Sequence, residues 1–423
     1  MTNRFLTAGV LSCCLLAAAA WANDWPQWRG PQRTGISQET GLLKEWPKDG
    51  PKLLWERKDI GGGYSTPAVV GDRIYLMADR KGMEHVLALA VKDGAEIWSC
   101  EIGKVGINVG PQYPGTRSTP TVDGDRIYAL GSDGDLACLE KDNGKVVWSK
   151  NLRKAFEGKP GDWAYSESVL IDGDVLVCTP GGKKATMAAL NKKDGATIWE
   201  CAIPKGDAAA YASAIAVDVG GVRQYVQFVA GGVVGVDAKT GKFLWRYEKT
   251  KDPAANIPTP VFKDDCVFTS TSRNGTGLNR IKANGDMVSS TEVYFNRIPL
   301  NSIGGVVLVG EYVYGTQAND DLVCMDFKTG DVKWRHACAG LAALCYADGM
   351  LYVRGQGGNG FGPESPAIMA LVEATPEGYR EKGRFEQPDH GNRPAWPHPV
   401  VANGRLYLRD GNVLLSYDIK AGQ

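Results

Sequence analysis

Aromatic, cationic and carboxylate side chains concentrate in the longest stretches of the chain that lack strand-like alternation. Tyr113 and Arg117 lie within 103–118. Trp163, Tyr165 and Glu167 lie within 152–168, and His390, Trp396 and His398 within 385–399. Lys183, Tyr211, Arg273 and Asn301 stand in further loops. Flat aromatic faces beside Arg, Asn and Glu suit a sugar or an aromatic acid, which needs rings to stack on and polar groups to fix orientation. Glu167 is the candidate catalytic carboxylate of this set. Arg117, Trp163, Tyr165, Tyr211, Lys183, Arg273, Asn301, Trp396 and His398 are the candidate ligand-binding residues.

Other chemistries find less support. The chain has four histidines. His85 and His336 fall in strand-like segments, and His390 and His398 lack the Cys or carboxylate spacing of a zinc site. Asp133-Gly134-Asp135 stops short of a calcium loop. No GxSxG or P-loop occurs. No metal ligand set is therefore expected. With 48 basic and 48 acidic residues the net charge is zero, so no overall field favours nucleic acid or an anionic membrane.

The elements that must hold these loops are repeats. A glycine turn followed by Trp recurs at Asp93-Gly94 with Trp98, Asn143-Gly144 with Trp148, Asp194-Gly195 with Trp199, Thr240-Gly241 with Trp245, and Thr329-Gly330 with Trp334. A second turn with a following strand recurs at Gly71, Gly124, Gly173, Gly310 and Gly404. Together they spell four-stranded antiparallel meanders the size of a propeller blade. Counting the turns gives eight, starting near Tyr64, Arg117, Tyr165, Tyr211, Ile257, Ile303, Leu341 and His398. Seven remain if one degenerate repeat is miscounted. The fifth places Ser289 where Trp is expected, and the seventh places Phe385 there. The last repeat ends at Gly422, one strand short, and Leu53-Leu54-Trp55 supplies that strand. The fold class is thus all-β, an eight-bladed propeller closed by its N-terminal strand. The recurring Trp packs one blade on the next.

Residues 1–22 read as a Sec signal peptide: Arg4, an apolar run from Phe5 to Ala20, then Ala20-Trp21-Ala22. Lipidation at Cys13 is the alternative. The mature chain is expected to be periplasmic or secreted and monomeric, with no transmembrane span. Residues 23–50, with Trp25, Trp28 and Trp46, are expected to wrap across the ring and cover an edge, and 51–423 to form the propeller. Eight cysteines follow the leader, and those at matching repeat positions are too far apart to pair. They read as buried thiols.

The run Val236-Asp237-Ala238-Lys239-Thr240-Gly241-Lys242-Phe243-Leu244-Trp245 resembles the pyrroloquinoline-quinone (PQQ) repeat with its AxDxxTGxxxW docking motif. Asp24-Trp25-Pro26-Gln27-Trp28-Arg29-Gly30-Pro31 is similar to the start of exported PQQ-like propellers of planctomycetes. The resemblance implies either an exported binding or scaffold protein, for a polysaccharide or another exported protein, or a BamB-like outer-membrane assembly factor. It also implies an alternative, a quinoprotein oxidoreductase of alcohols or sugars using PQQ with calcium. Arg117, Lys183 and Arg273 would then clamp carboxylates, and Glu167 would act as base or calcium ligand. Dehydrogenases of that type are longer, and many carry a disulfide between adjacent cysteines, which this mature chain lacks. The repeat name itself marks blade packing and does not imply bound PQQ.

Overall fold

In the computed structural model, which describes residues 24–107, 113–204, 206–285, 287–300, 303–317, 321–356, 365–391 and 394–422, the two recurrent glycine turns each close a hairpin. The leader expected over 1–22, with Cys13, lies outside the described residues. The first blade shows the pattern. Its strands are Ala68–Val70, Arg73–Arg80, Met83–Ala90 and Glu96–Lys104, antiparallel and in that spatial order. Gly94 takes φ 71 at the outer turn, and Asp93 accepts the Ala95 amide at 3.0 Å. Asn143 and Asp194 do the same for Lys145 and Ala196 at 2.8 and 2.9 Å. A short acceptor followed by a residue free to adopt positive φ is what this turn requires, so Asp-Gly and Asn-Gly recur.

Eight such four-stranded sheets form the ring. The middle strands depart from the expected alternation. Ile74 to Ala78 are buried at every position, because both faces of a blade pack against neighbouring blades. One core layer, for example, joins Tyr128, Leu136 and Leu152 of the second blade to Tyr165, Leu176 and Leu190 of the third. The outermost strand of this first blade alternates with solvent instead.

The seam closes as the truncated repeat requires. Leu53–Arg57 pairs antiparallel with Val413–Asp418, matching Leu53 to Tyr417 and Arg57 to Leu414. The Trp of five outer strands bonds to the following blade, while Trp245 donates within its own blade to Gln224 Oε1 at 2.8 Å. Trp98 Nε1 donates to Lys141 O at 3.2 Å, Trp148 to Lys192 O at 3.0 Å, Trp199 to Ala238 O at 3.1 Å and Trp334 to Thr375 O at 2.8 Å. Trp55 of the seam strand donates to Val91 O at 3.0 Å.

The irregular blades replace this Trp in ways that differ from the sequence reading. In the fifth blade the work falls to Tyr294, not to the position of Ser289. Its outer strand Met287–Asn296 is ten residues long, so the ring-facing position moves outward along it. Tyr294 OH donates to Phe327 O at 3.1 Å, and its ring lies under Gly330 of the next turn. In the seventh blade the role is divided: Phe385 lies under Gly50 of the next turn, as the Trp does elsewhere, but two residues along the strand from the register position of the Trp. Gly383 pairs with Leu371 beside the bulge, where the other blades carry Trp. The vacancy at Gly383 is filled from elsewhere in the chain by Trp46, whose Cβ lies against it. Trp46 sits 5.9 Å from Tyr352, and the repeat Trp98 sits 6.1 Å from the corresponding Tyr75. Gly50 likewise stands over Phe385, while Gly422 touches nothing within 4 Å. The seam's turn glycine is therefore Gly50.

Trp46→Ala is expected to cost about 3 kcal/mol in denaturant unfolding, close to the cost of Trp334→Ala, although Trp46 belongs to no repeat. A loss under about 1 kcal/mol would show that the seventh blade does not use it.

Candidate functional site

The loops that enter the inner strands converge on one mouth of the central channel and enclose a cavity of about 390 Å³. Every blade contributes. The first brings Tyr64 and Thr66, the second Tyr113 and Arg117, the third Trp163 and Ser166, and the fourth Tyr211 and Ser213. The fifth adds Asp252, Ile257, Ser272 and Arg273, the sixth Ile303 and Gly304, the seventh Leu341, and the eighth Trp396 and His398.

The floor comes from the N-terminal segment, which does more than cover an edge. It crosses the channel and bonds to inner strands around most of the ring. Trp25 and Val69 exchange backbone hydrogen bonds of 2.7 and 2.8 Å, and Val122 donates to Pro26 O at 2.8 Å. Arg33 donates to Ser168 O at 2.6 Å and to Val169 O at 3.1 Å. Arg29 donates to Thr34 O at 2.8 Å and to Val306 O. Ser37 and Gly35 pair with Tyr346 of the seventh blade at 2.8 Å each. Burial pushes Arg29 down to about 10 and Arg33 to about 9, so both remain charged at neutral pH. Their partners are carbonyl oxygens, and the hydrogen bonds offset the desolvation of the guanidinium groups.

This crossing places Trp28 beneath the cavity. Trp28 Nε1 donates to Thr259 Oγ1 at 2.9 Å, and its ring lies 4.5 Å from that of His398. Gly304 must be glycine here, because a Cβ would meet His398 Nε2 at 2.4 Å and Trp28 at 2.9 Å. His398 donates from Nε2 to Ile303 O and receives nothing acidic. Burial and the nearby Arg29 hold it down to about 3, so it is neutral. The channel is thus blind at Trp28.

The walls hold two aromatic groups. Trp396 lies 5.2 Å from Tyr64 and 4.8 Å from Tyr113, while Trp163 meets Tyr211 edge-on at 5.6 Å. Arg117 lies between them, its guanidinium 5.4 Å over the Tyr64 ring. It donates to Gly115 O at 2.9 Å, to Trp163 O at 3.1 Å and to Tyr113 O. Arg273 is at the rim, 63% exposed, with Nε 3.9 Å from Asp252. Asp252 in turn accepts the Ala254 amide at 2.8 Å and the Ser272 hydroxyl at 3.0 Å.

Of the residues singled out from sequence, Arg117, Trp163, Tyr211, Arg273, Trp396 and His398 line this cavity. Three do not. Glu167 is buried between blades and accepts from Thr179 N, from Thr179 Oγ1 at 2.7 Å and from Gln227 Nε2 at 3.0 Å. It is an internal brace, not a base facing a substrate. Tyr165 is buried with its hydroxyl on Pro180 O at 2.8 Å, and Lys183 is exposed outside the cavity. Asn301 lies outside the described residues. Sequence reasoning missed Trp28 and Ser166. A Trp in a segment with no repeat partner was the available signal for Trp28.

Glu84 resembles Glu167. It is fully buried and accepts from Ser132 N at 2.7 Å and from its hydroxyl at 2.6 Å. Burial pushes Glu84 up to about 8 and Glu167 to about 7. In the unfolded chain both titrate near the ordinary glutamate value, so their protonated forms favour the fold. That contribution is whole below about pH 4.5 and fades as pH rises to about 8. Stability is expected to fall by on the order of 6 kcal/mol between pH 5 and pH 8, and Glu84→Gln with Glu167→Gln to flatten the profile. An unchanged profile in the double variant, followed by urea unfolding, would contradict this.

Comparison with known proteins agrees with the architecture. The family described as outer membrane protein assembly factor BamB matches residues 82–336 and 300–361, more than half of the chain. The outer membrane protein assembly factor BamB of Shewanella oneidensis is 23% identical over 250 residues, covering 56% of this chain. The match spans 60% of that relative's length. Among solved structures, BamB from Moraxella catarrhalis superimposes with a TM-score of 0.58 at 17% identity, over 88% of this chain and 98% of its own. The quinohemoprotein alcohol dehydrogenase from Comamonas testosteroni does so with a TM-score of 0.63 at 12% identity, over 96% of this chain and 82% of its own. At these identities the two structures share the fold, and the fold alone does not carry function.

Proposed function

The chain belongs to the family described as outer membrane protein assembly factor BamB, and from that membership we propose that it is a non-catalytic binding scaffold exported to the cell envelope. Residues 1–22 direct export, 23–50 wrap the ring, 51–423 form the propeller, and the protein works as a monomer. Its occupant is part of an envelope polymer, a polysaccharide or another exported protein. The observation that carries this reading is the blind aromatic cup at the channel mouth, which offers stacking surface on several sides and, among the described residues, no acid–base pair.

The quinoprotein alternative asks the cup to hold PQQ with calcium, and the residues present do not fit it. Three carboxylates need several cationic clamps. Three donor contacts of Arg117 already go to backbone carbonyls, Arg273 faces Asp252 at the rim, and Lys183 is outside the cavity. Glu167 is turned away between blades. Among the described residues no three His, Cys, Asp or Glu side chains gather to hold a metal ion, and all eight described cysteines are unpaired.

Incubated with PQQ and Ca²⁺, the purified protein is expected to retain no chromophore and to reduce no dye with alcohols or sugars. A photoreactive residue at position 273 is expected to crosslink to an envelope polymer in intact cells, and one at position 333 on the outer rim is not. Dye reduction that disappears in Arg117→Ala would contradict the scaffold.

A further inference from the structure

The physical character of the cup narrows what it holds. We propose that it binds, end-on, the terminal pyranose of an uncharged polysaccharide. This rests on the cup being a binding site, and it adds the chemistry of the occupant.

Charge argues first. A cationic ligand would need a free carboxylate, but Asp252 of the lining already faces Arg273 and accepts the Ala254 amide and the Ser272 hydroxyl, while Arg117 and the buried Arg29 repel a cation. An anionic ligand would need free guanidinium donors facing inward. Arg117 instead binds the carbonyls of Gly115, Trp163 and Tyr113 and lays its face over Tyr64. Arg273 is held toward Asp252 at the exposed rim. The occupant of the inner cup is therefore neutral.

Hydroxyl chemistry argues second. The Ser166 Oγ is buried in the wall and has no hydrogen-bond partner among the described residues. Ser213 Oγ accepts the Ser168 amide at 2.9 Å, which leaves its own hydrogen to donate. A flat apolar ring would leave Ser166 dry and unpaired, at a cost of about 1–3 kcal/mol. A pyranose satisfies both kinds of surface. Its axial C–H face packs on Trp163 or Trp396, and its ring hydroxyls both give and accept hydrogen bonds to Ser166 and Ser213.

Shape argues third. Trp28 and Gly304 shut the cavity from below, so no chain can thread through it. A volume of about 390 Å³ is small for a ligand pocket and suits a terminal unit, with the rest of the polymer leaving past Arg273. No covalent step is involved.

The test titrates the mature full-length protein with glucose, galactose, mannose, N-acetylglucosamine and their methyl glycosides, each to tens of millimolar. Tryptophan fluorescence and saturation-transfer NMR follow binding. At least one neutral pyranose is expected to bind saturably with a millimolar Kd. Trp163→Ala and Trp396→Ala are expected to weaken it at least about tenfold. Ser166→Ala, which barely perturbs packing, is expected to weaken it about threefold or more with an unchanged melting temperature. Absence of binding by the whole panel overturns the proposal, as does binding that all three variants retain unchanged. If the panel fails while a crosslinker at position 273 captures an exported protein, the pyranose is dismissed and the scaffold reading stands. If PQQ-dependent dye reduction is found, the scaffold reading falls as well.

Discussion

A ring of blades leaves a hole at its axis, and the backbone groups of the short inner strands around that hole must find partners. Much of this structure follows from how the chain meets that constraint. The segment from Trp25 to Ser37 is drawn across the channel by backbone pairing with Val69, Val122 and Tyr346. Two buried arginines then reach the carbonyls of opposite sides, Arg33 to the third blade and Arg29 to the sixth. Each bond satisfies an inner-strand acceptor and a guanidinium donor together, which makes the crossing stable in a site that excludes water. Both arginines adopt positive φ, near 61° and 59°, so the turns that aim them carry backbone strain that these contacts must offset.

The same N-terminal segment finishes the ring at its weakest point. Three parts missing from the last two blades are supplied from the single stretch 46–57: Trp46 for the seventh blade, Gly50 for the seam turn and Leu53–Arg57 for the eighth blade. The plug and the seam are thus one continuous element, and its first turn also provides the floor of the cup. Closure of the fold and the shape of the binding site depend on a common segment, which explains why a cavity built from eight blades ends blindly instead of opening through.

Much of the fold was legible in the sequence because its signals are local. Asp93-Gly94 and its equivalents specify a turn by the chemistry of two or three adjacent residues, and the truncated end at Gly422 pointed to Leu53-Leu54-Trp55. The substitutions were not legible, because they depend on register and on distant chain. Tyr294 takes the Trp role only once a longer hairpin displaces the pairing, and Trp46 reaches Gly383 across more than three hundred residues. At the mouth, loop position was enough to find Arg117, Trp163, Tyr211, Arg273, Trp396 and His398. It was not enough to tell which neighbours turn inward. Trp163 faces the cup, whereas Tyr165 and Glu167 turn between blades, and composition carries no record of side-chain direction in a loop.

The central claim is that residues 24–37 are an integral part of the ring and not a surface strap. Native-state hydrogen exchange reads this directly at the amides of Trp25 and Ser37, which donate to Val69 O and Tyr346 O. They are expected to exchange as slowly as the amides of the core strand Arg73–Arg80, opening only with global unfolding. Rapid exchange at Trp25 and Ser37 while that strand stays protected would show that the plug detaches from an intact propeller, and would contradict the account.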